Sequence, residues 1–263
     1  MAMTEAPMAL SVSVLPGIPL VAAGMDLARL IASAAQQAGV DLGAQDVVVV
    51  AQKIVSKAEG RVVDLGCVEP GPQALELAAL TGRPPALAQL ILDEAMEVMR
   101  ATPAAIITRH RTGHVTANSG IDASNVEGGN VAGGAGDMVL LWPRDPDASA
   151  RAIRAGLPGK PAVVIADSLG RAWRQGTVGT AIGAAGLVHT DDRRGQVDMF
   201  GRTLQATIVA VADAIAAFAV LAIGEGAEGT PVAIVRGAGR WVTEADGTGA
   251  AAIMRPAEGD LFQ

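Results

Sequence analysis

An α+β fold, with mixed sheets and flanking helices, is what the sequence predicts, and three observations carry that prediction. Strand-like and helix-like segments alternate without a regular rhythm, which disfavours a doubly wound sheet. A valine run at 46–51 and an apolar run at 163–166 are continuous, as in strands covered on both faces. Nowhere does G-x-x-x-x-G-K-[ST] occur, so a P-loop is excluded. The same irregular rhythm leaves a division into two lobes open.

Composition agrees with a folded chain. Of 263 residues, 50% are hydrophobic and the mean hydropathy is +0.36, enough for a substantial core. Aromatic residues make up only 2%, so small and aliphatic side chains must fill that core. Such scarcity also argues against a base-stacking platform for single-stranded nucleic acid. A net charge of −7 disfavours nucleic acid as a partner. Cys67 is the single cysteine; it excludes an intramolecular disulfide and, lacking a basic neighbour, reads as inert. No charged leader is visible at the start. The most apolar stretch, 206–223, carries Asp213 in its middle and reads as a buried helix, not a membrane span. A cytoplasmic setting is expected.

In chain order, residues 9–14 predict a short strand, followed at 15–21 by two prolines and a glycine that deny regular structure. Leu27, Leu30, Ile31 and Ala35 have helical spacing and predict a helix over 26–38, with Asp26 at its N-cap or first turn. The valine strand leads into Q-K-I-V-S-K-A-E-G-R at 52–61, a polar, basic segment past a core strand. Helices are expected over 73–80 and 85–101, the second with Pro85 near its first turn. A hairpin pairs 104–108 with 114–117 around Arg111, Thr112 and Gly113, so His110 and His114 can meet across it. A glycine-rich loop at 128–136 and a strand at 138–142 come next. A helix opened by Asp145, Pro146 and Asp147 runs to about 157, with Arg151 and Arg154 on one side. The strand 163–166 then stops at Asp167. Glycine and charge leave 176–201 without a clear element. A long helix over 205–221, a loop at 224–229, a last strand at 231–235 and an irregular tail from 237, with a short helix before Gln263, complete the chain.

The chemistry-bearing residues cluster at the ends of these elements. Residues 163–176, V-V-I-A-D-S-L-G-R-A-W-R-Q-G, put Asp167, Ser168, Arg171 and Arg174 just past a buried strand. The carboxylate and hydroxyl suit a hard cation and the guanidiniums suit phosphate or carboxylate, but a capped strand end with solvated arginines has the same appearance. Residues 224–229 fit G-x-G-x-x-G, yet they follow a helix and precede a strand, the reverse of the dinucleotide fingerprint. Glu225, flanked by glycines, suits either a cation ligand or a mobile acidic loop. Asp122 and Asn125 share one face if a helical turn starts there; a cap and turn is the alternative. Lys57 can reach phosphates or stand exposed. His110, His114 and His189 lack a third zinc ligand nearby, and no G-x-S-x-G elbow is present. Separated carboxylates with cationic side chains point to phosphoryl chemistry more readily than to hydride transfer.

Four segments carry a resemblance. Q-K-I-V-S-K-A-E-G-R, N-S-G-I-D-A-S-N-V, I-A-D-S-L-G-R-A-W-R-Q-G and V-A-D-A-I-A-A-F-A-V-L-A-I-G-E-G resemble, in order, those of the coenzyme F420-0:L-glutamate ligases, over about 15–237. The resemblance implies a GTP-dependent enzyme that needs Mg²⁺ or Mn²⁺, with a monovalent K⁺ as a further expectation. It implies addition of L-glutamate through a γ-linked amide to a deazaflavin precursor, with release of GDP and phosphate. Carried over, Asp122, Asp167, Ser168 and Glu225 form the metal-binding set, Ser168 standing where the family often has Thr. Nucleotide contacts fall on Ile18, Pro19, Leu20, Val21, Lys57, Asn125, Ile223, Gly224, Glu225, Gly226, Ala227, Glu228, Gly229 and Thr230. Gln52 occupies a family Ser or Thr position and is carried as a contact on that footing.

Asp167 and Lys57 are the expected catalytic residues, with Arg171 and Arg174 inferred as further clamps. The family implies a catalytic unit over 10–240, with 241–263 a tail packed on it or trailing from it, and an intertwined homodimer. Some relatives carry an extra nitroreductase-like domain that this sequence lacks. The rival readings are a metal-dependent nucleotide phosphohydrolase and a nucleotide-binding regulatory module.

Overall fold

The computed structural model describes residues 9–255. In chain order its elements are β1 (Ser11–Val14), α1 (Leu27–Gln37), β2 (Val47–Ala51), α2 (Gln52–Ala58), β3 (Val62–Asp64), α3 (Pro72–Thr81), α4 (Pro85–Glu94), β4 (Ala95–Ala101), β5 (Ile106–His110) and β6 (Val115–Ala117). There follow β7 (Met138–Leu140), α5 (Pro146–Gly156), β8 (Ala162–Arg171), β9 (Arg174–Ala185), β10 (Thr190–Asp192), β11 (Ile208–Ala210), α6 (Val211–Ile223) and β12 (Val232–Arg236).

A five-stranded sheet, ordered β1-β12-β2-β8-β9, organises the molecule. Strands β2 and β8 are parallel, in register from Val47 against Ala162 to Ala51 against Ala166, and the other neighbours are antiparallel. Alternation along each strand feeds two cores. Val48, Val50, Val163 and Ile165 pack under α1 and α5, with Leu27, Ile31, Ile153 and Trp142. Val47, Val49, Val164 and Ala166 pack under α6, with Ala212, Ile215, Ala216 and Ala219. All four valines of β2 are fully buried, each contributing about 1.5–2 kcal/mol of apolar transfer. Helix α6 lies close to β9 because Gly179 has no side chain; a Cβ there would come within 2.5 Å of the Ala216 carbonyl oxygen. A third core joins α3 and α4 to Leu65, Ile106, Val139 and Leu141, alongside the three-stranded sheet β4-β5-β6.

Several expectations need correcting. The helix expected over 85–101 stops at Glu94, and 95–101 becomes β4, pairing with β5 through two register shifts. Good helix formers yield there to cross-strand pairing. The polar segment at 52–61 is largely the helix α2. The helix expected over 205–221 begins only at Val211, because 208–210 pair with β10. Asp213 therefore sits in its first turn, where its carboxylate accepts from the Ala181 N–H beside the β8–β9 register shift. No helix among the described residues is long and apolar enough to cross a membrane.

Most consequential for the site, β8 does not stop at Asp167. It continues to Arg171 and turns back as β9, whose early residues are exposed, so hydrophobicity gave no strand signal there. Trp173, at the hairpin tip, is 89% exposed.

Residues 241–255 pack on the sheet rather than trail from it. The Val188 N–H donates to the Trp241 carbonyl, and buried Arg154 donates to the carbonyls of Thr243 and Glu244 and pairs with Asp246 at 2.6 Å. Arg151 shares none of this; it stands near Asp145 at the surface. The short helix expected before Gln263 lies outside the described residues. Asp147 ties the tail down from α5: its carboxylate accepts from the backbone N–H groups of Ala184, Ala250 and Ala251 at 2.8, 2.7 and 3.1 Å. Asp147→Ala strands three donors, and we expect a loss of about 2–3 kcal/mol in urea unfolding. An unchanged unfolding midpoint would show that the tail is not held by this carboxylate.

Candidate active site

The residues of interest converge on a cleft of about 400 Å³ where the parallel pairing of β2 and β8 ends, at Ala51 and Ala166, the kind of sheet position at which α/β proteins bind ligands. Its walls are Ile18, Pro19, Leu20 and Val21 after β1, Gln52, Lys53 and Lys57 on α2, Asn125 in the loop after β6, Asp167 and Ser168 on β8, and residues 223–230 from the end of α6 towards β12. A depression beside α1 and α5, near 630 Å³, is flatter and gathers no carboxylate cluster.

One face of α2 supplies the positive charge. Lys53 and Lys57 lie one helical turn apart. The Lys53 ammonium meets Asp122 Oδ2 at 2.5 Å and also reaches the Ser124 carbonyl and hydroxyl. Lys57 donates to the Asn125 carbonyl at 2.6 Å. Burial, reinforced by the neighbouring Lys53 charge, lowers the Lys57 pKa. Asn125, held at φ +56, donates its amide to the Gly226 carbonyl at 3.2 Å, tying the loop that carries Glu225 to the α2 side of the cleft.

Asp122 and Asn125 do not share a helical turn. Asp122 is bridged to Leu140 by backbone hydrogen bonds, and its Oδ1 accepts from the Ser124 N–H at 2.8 Å. That side-chain turn competes with a helix start. Burial works to raise Asp122, but hydrogen bonds from Lys53 and Ser124 prevail and hold its pKa low.

Asp167 has a different environment. Its Oδ1 accepts from the Ser168 N–H at 2.8 Å and its Oδ2 from the Trp142 indole N–H at 2.7 Å. Burial outweighs both bonds and pushes its pKa up to about 6. Ser168 Oγ donates to Glu225 Oε1. Glu228 folds back so that its carboxylate accepts from the Gly226 N–H at 2.7 Å. Gln52 lines the cleft with its amide nitrogen committed to Ser56 Oγ at 2.6 Å.

Among the described residues, no three His, Cys, Asp or Glu side chains close on one point as a ready-made metal shell. The donors nonetheless fit a hard divalent cation. They are oxygens only, Asp167 has no ion-pair partner among the described residues, and Mg²⁺ commonly takes one or two carboxylates with the rest from water and substrate phosphates.

Of the expected set, Asp167, Ser168, Glu225, Lys57, Asn125, Gln52 and the two loops all line the cleft; Asp122 stands behind Lys53. Arg171 and Arg174 do not line it, since the hairpin carries them outward to exposed positions. Sequence reasoning missed Lys53, whose signal was the four-residue spacing to Lys57 once 52–58 is helical. It also missed Trp142, which read only as the end of a strand.

Carboxylates and ammonium groups gathered around one cleft suit an enzyme that acts on small molecules. The chain belongs to the F420-0:Gamma-glutamyl ligase family, whose sequence profile matches residues 17–237. It is 42% identical over 260 residues to the coenzyme F420:L-glutamate ligase of Methanothermobacter thermautotrophicus, covering 97% of this chain and all of that protein. The proteins of the same name from Methanocaldococcus jannaschii (42% identity, 83% of this chain and 84% of that one) and Archaeoglobus fulgidus (43%, 84% and 85%) are similar too.

Proposed function

We propose that this chain is a GTP-dependent ligase that adds L-glutamate, through a γ-linked amide, to the deazaflavin precursor coenzyme F420-0, releasing GDP and phosphate. One observation carries the reading: the nucleotide contacts and most of the cation ligands that the family resemblance implies, far apart in sequence, line a single cleft.

In this reading a carboxylate of the acceptor takes the γ-phosphoryl group of GTP, giving an acyl phosphate and GDP. The glutamate amine then attacks the activated carbonyl, forming the amide and expelling phosphate. Lys57, and Lys53 beside it, offer positive charge to the phosphates. The glycines flanking Glu225 let the backbone approach those phosphates closely. Ile18, Pro19, Leu20 and Val21 form an apolar side of the cleft and are assigned to the nucleotide. Asp122, Asp167, Ser168 and Glu225 would hold a divalent cation, Mg²⁺ or Mn²⁺, which would supply charge neutralisation for phosphoryl transfer; a monovalent K⁺ belongs to the same proposal.

A homodimer belongs to the same proposal. Trp173, Met199 and Phe200, each at least 89% exposed, are apolar side chains that a second copy could cover.

The test is to incubate the protein with GTP, Mg²⁺, L-glutamate and coenzyme F420-0 and to weigh the product. Added glutamyl mass, with GDP release dependent on both acceptor and glutamate, is expected. GTP hydrolysis that ignores both would overturn the ligase reading in favour of a phosphohydrolase.

A further inference from the structure

Trp142 is the largest fully buried side chain among the described residues, yet its one polar atom points at the cleft. Its indole N–H donates to Asp167 Oδ2 at 2.7 Å. Everything around the ring fixes where that N–H goes. The His110 and His114 rings meet the indole edge-on, with centroids 4.8 and 5.5 Å away. Both imidazoles are tied together through Thr112 Oγ1, at 2.8 and 2.9 Å. On the backbone side, the Trp142 carbonyl accepts from Arg61 Nε at 2.9 Å, and Arg61 is itself paired with Glu94 at 2.7 Å. Over the ring lies Gly120, where a Cβ would fall 2.4 Å from the indole. The ring is fully buried among these contacts.

We propose that Trp142 is a positioning residue of the active site: its clamped indole N–H sets the orientation of the Asp167 carboxylate, and thereby the cation affinity of the cleft. The inference rests on the cation assignment made above. With Oδ2 held by Trp142 and Oδ1 by the Ser168 N–H, the carboxylate cannot rotate, and its remaining lone pairs keep one direction. Hydrogen-bond partners behind a metal-binding carboxylate commonly govern affinity by 10–100-fold. His110 and His114 reach the cleft through the indole, their hydrogen bonds going to Thr112, Glu94 and the Ala181 carbonyl.

Two measurements test this. In the double variant W173F/W241F, Trp142 is the only tryptophan left of the three in the chain. Mn²⁺ bound at Asp167 should quench its emission, with the midpoint found from loss of the free-Mn²⁺ electron paramagnetic resonance signal. In Trp142→Phe, which keeps a ring but deletes the N–H, Mn²⁺ affinity should fall about 10–100-fold while the protein still melts cooperatively. Emission that does not respond to saturating Mn²⁺ would overturn the proposal, as would a folded Trp142→Phe that binds Mn²⁺ like the unaltered protein. No Mn²⁺ binding by the unaltered protein would instead remove the cation assignment itself, and the positioning role with it.

Discussion

Asp167→Ala should give a folded protein that no longer joins glutamate to its acceptor, with turnover reduced about 10³-fold or more. The size follows from what the carboxylate is asked to do. Cation-assisted charge neutralisation is worth several kcal/mol in a phosphoryl transfer, and each 1.4 kcal/mol is a factor of ten in rate. Stability should respond far less, because two effects oppose each other. Burial pushes Asp167 up to about 6, so keeping it ionised at neutral pH costs the fold about 3 kcal/mol. Removing it also frees the Trp142 and Ser168 N–H groups, a loss of about 1–1.5 kcal/mol each. These nearly cancel, and the melting temperature should move by no more than a few degrees. Mass spectrometry of the product alongside a thermal melt reads both quantities. A variant that ligates at the unaltered rate would remove Asp167 from the mechanism.

The second large effect lies behind the cleft. Glu94 is 8% exposed and faces Arg61 at 2.7 Å, Arg111 at 3.1 Å and His110 at 3.4 Å. Burial alone would raise its pKa, but the hydrogen bonds from His110 and Arg61 and the charges of Arg61 and Arg111 win and hold it at about 2. Glu94→Gln keeps the shape and deletes the charge, leaving Arg61, also buried, without its counter-ion. Breaking such a pair from one side costs about 3–5 kcal/mol, readable in urea or heat.

The pH dependence has a definite sign. A carboxyl that titrates near 4.5 unfolded and about 2 folded contributes stability that is complete above pH 4.5 and is lost as pH falls towards 2, about 3 kcal/mol in all. His110 and His114 act in the same direction. Burial lowers both, so the stability of keeping them neutral is present above pH 6.5 and drains as acid charges them in the unfolded chain. Asp167 and Asp213, both raised by burial, act the other way as pH falls below about 6. The unaltered protein should therefore lose melting temperature chiefly below about pH 4.5, where Glu94 is titrated. Glu94→Gln should start lower and lose the component below pH 4.5; a variant with the original acid profile would contradict this account.

Much of this was legible in the sequence, for identifiable reasons. The valine run of β2 and the apolar start of β8 were plain because a strand covered on both faces must be continuously hydrophobic. The residues that line the cleft were legible through long motifs in fixed order. What escaped was whatever depends on pairing between distant segments. β4 reads as helix by propensity and is a strand because β5 lies beside it. The outer half of the β8–β9 hairpin has no apolar pattern, since its tip is exposed. Lys53 escaped because its importance needs α2 to be helical, and Trp142 because a buried indole looks like core until its partner is known.

The passage of β8 straight through Asp167 and Ser168 has a consequence for how this site can fail. Neighbours on a strand point to opposite sides of the sheet. Asp167 continues the row of Val163 and Ile165 towards the Trp142 core, and Ser168 continues that of Val164 and Ala166 towards the α6 side, where it meets Glu225. The two halves of the oxygen set are thus delivered from opposite layers by consecutive residues. Sliding β8 by a single position against its neighbours would exchange them, turning the hydroxyl to the indole and the carboxylate to Glu225. The proposed centre depends on strand registry itself, and inserting or deleting one residue between Ile165 and Asp167 would dismantle it without altering any of the side chains that compose it.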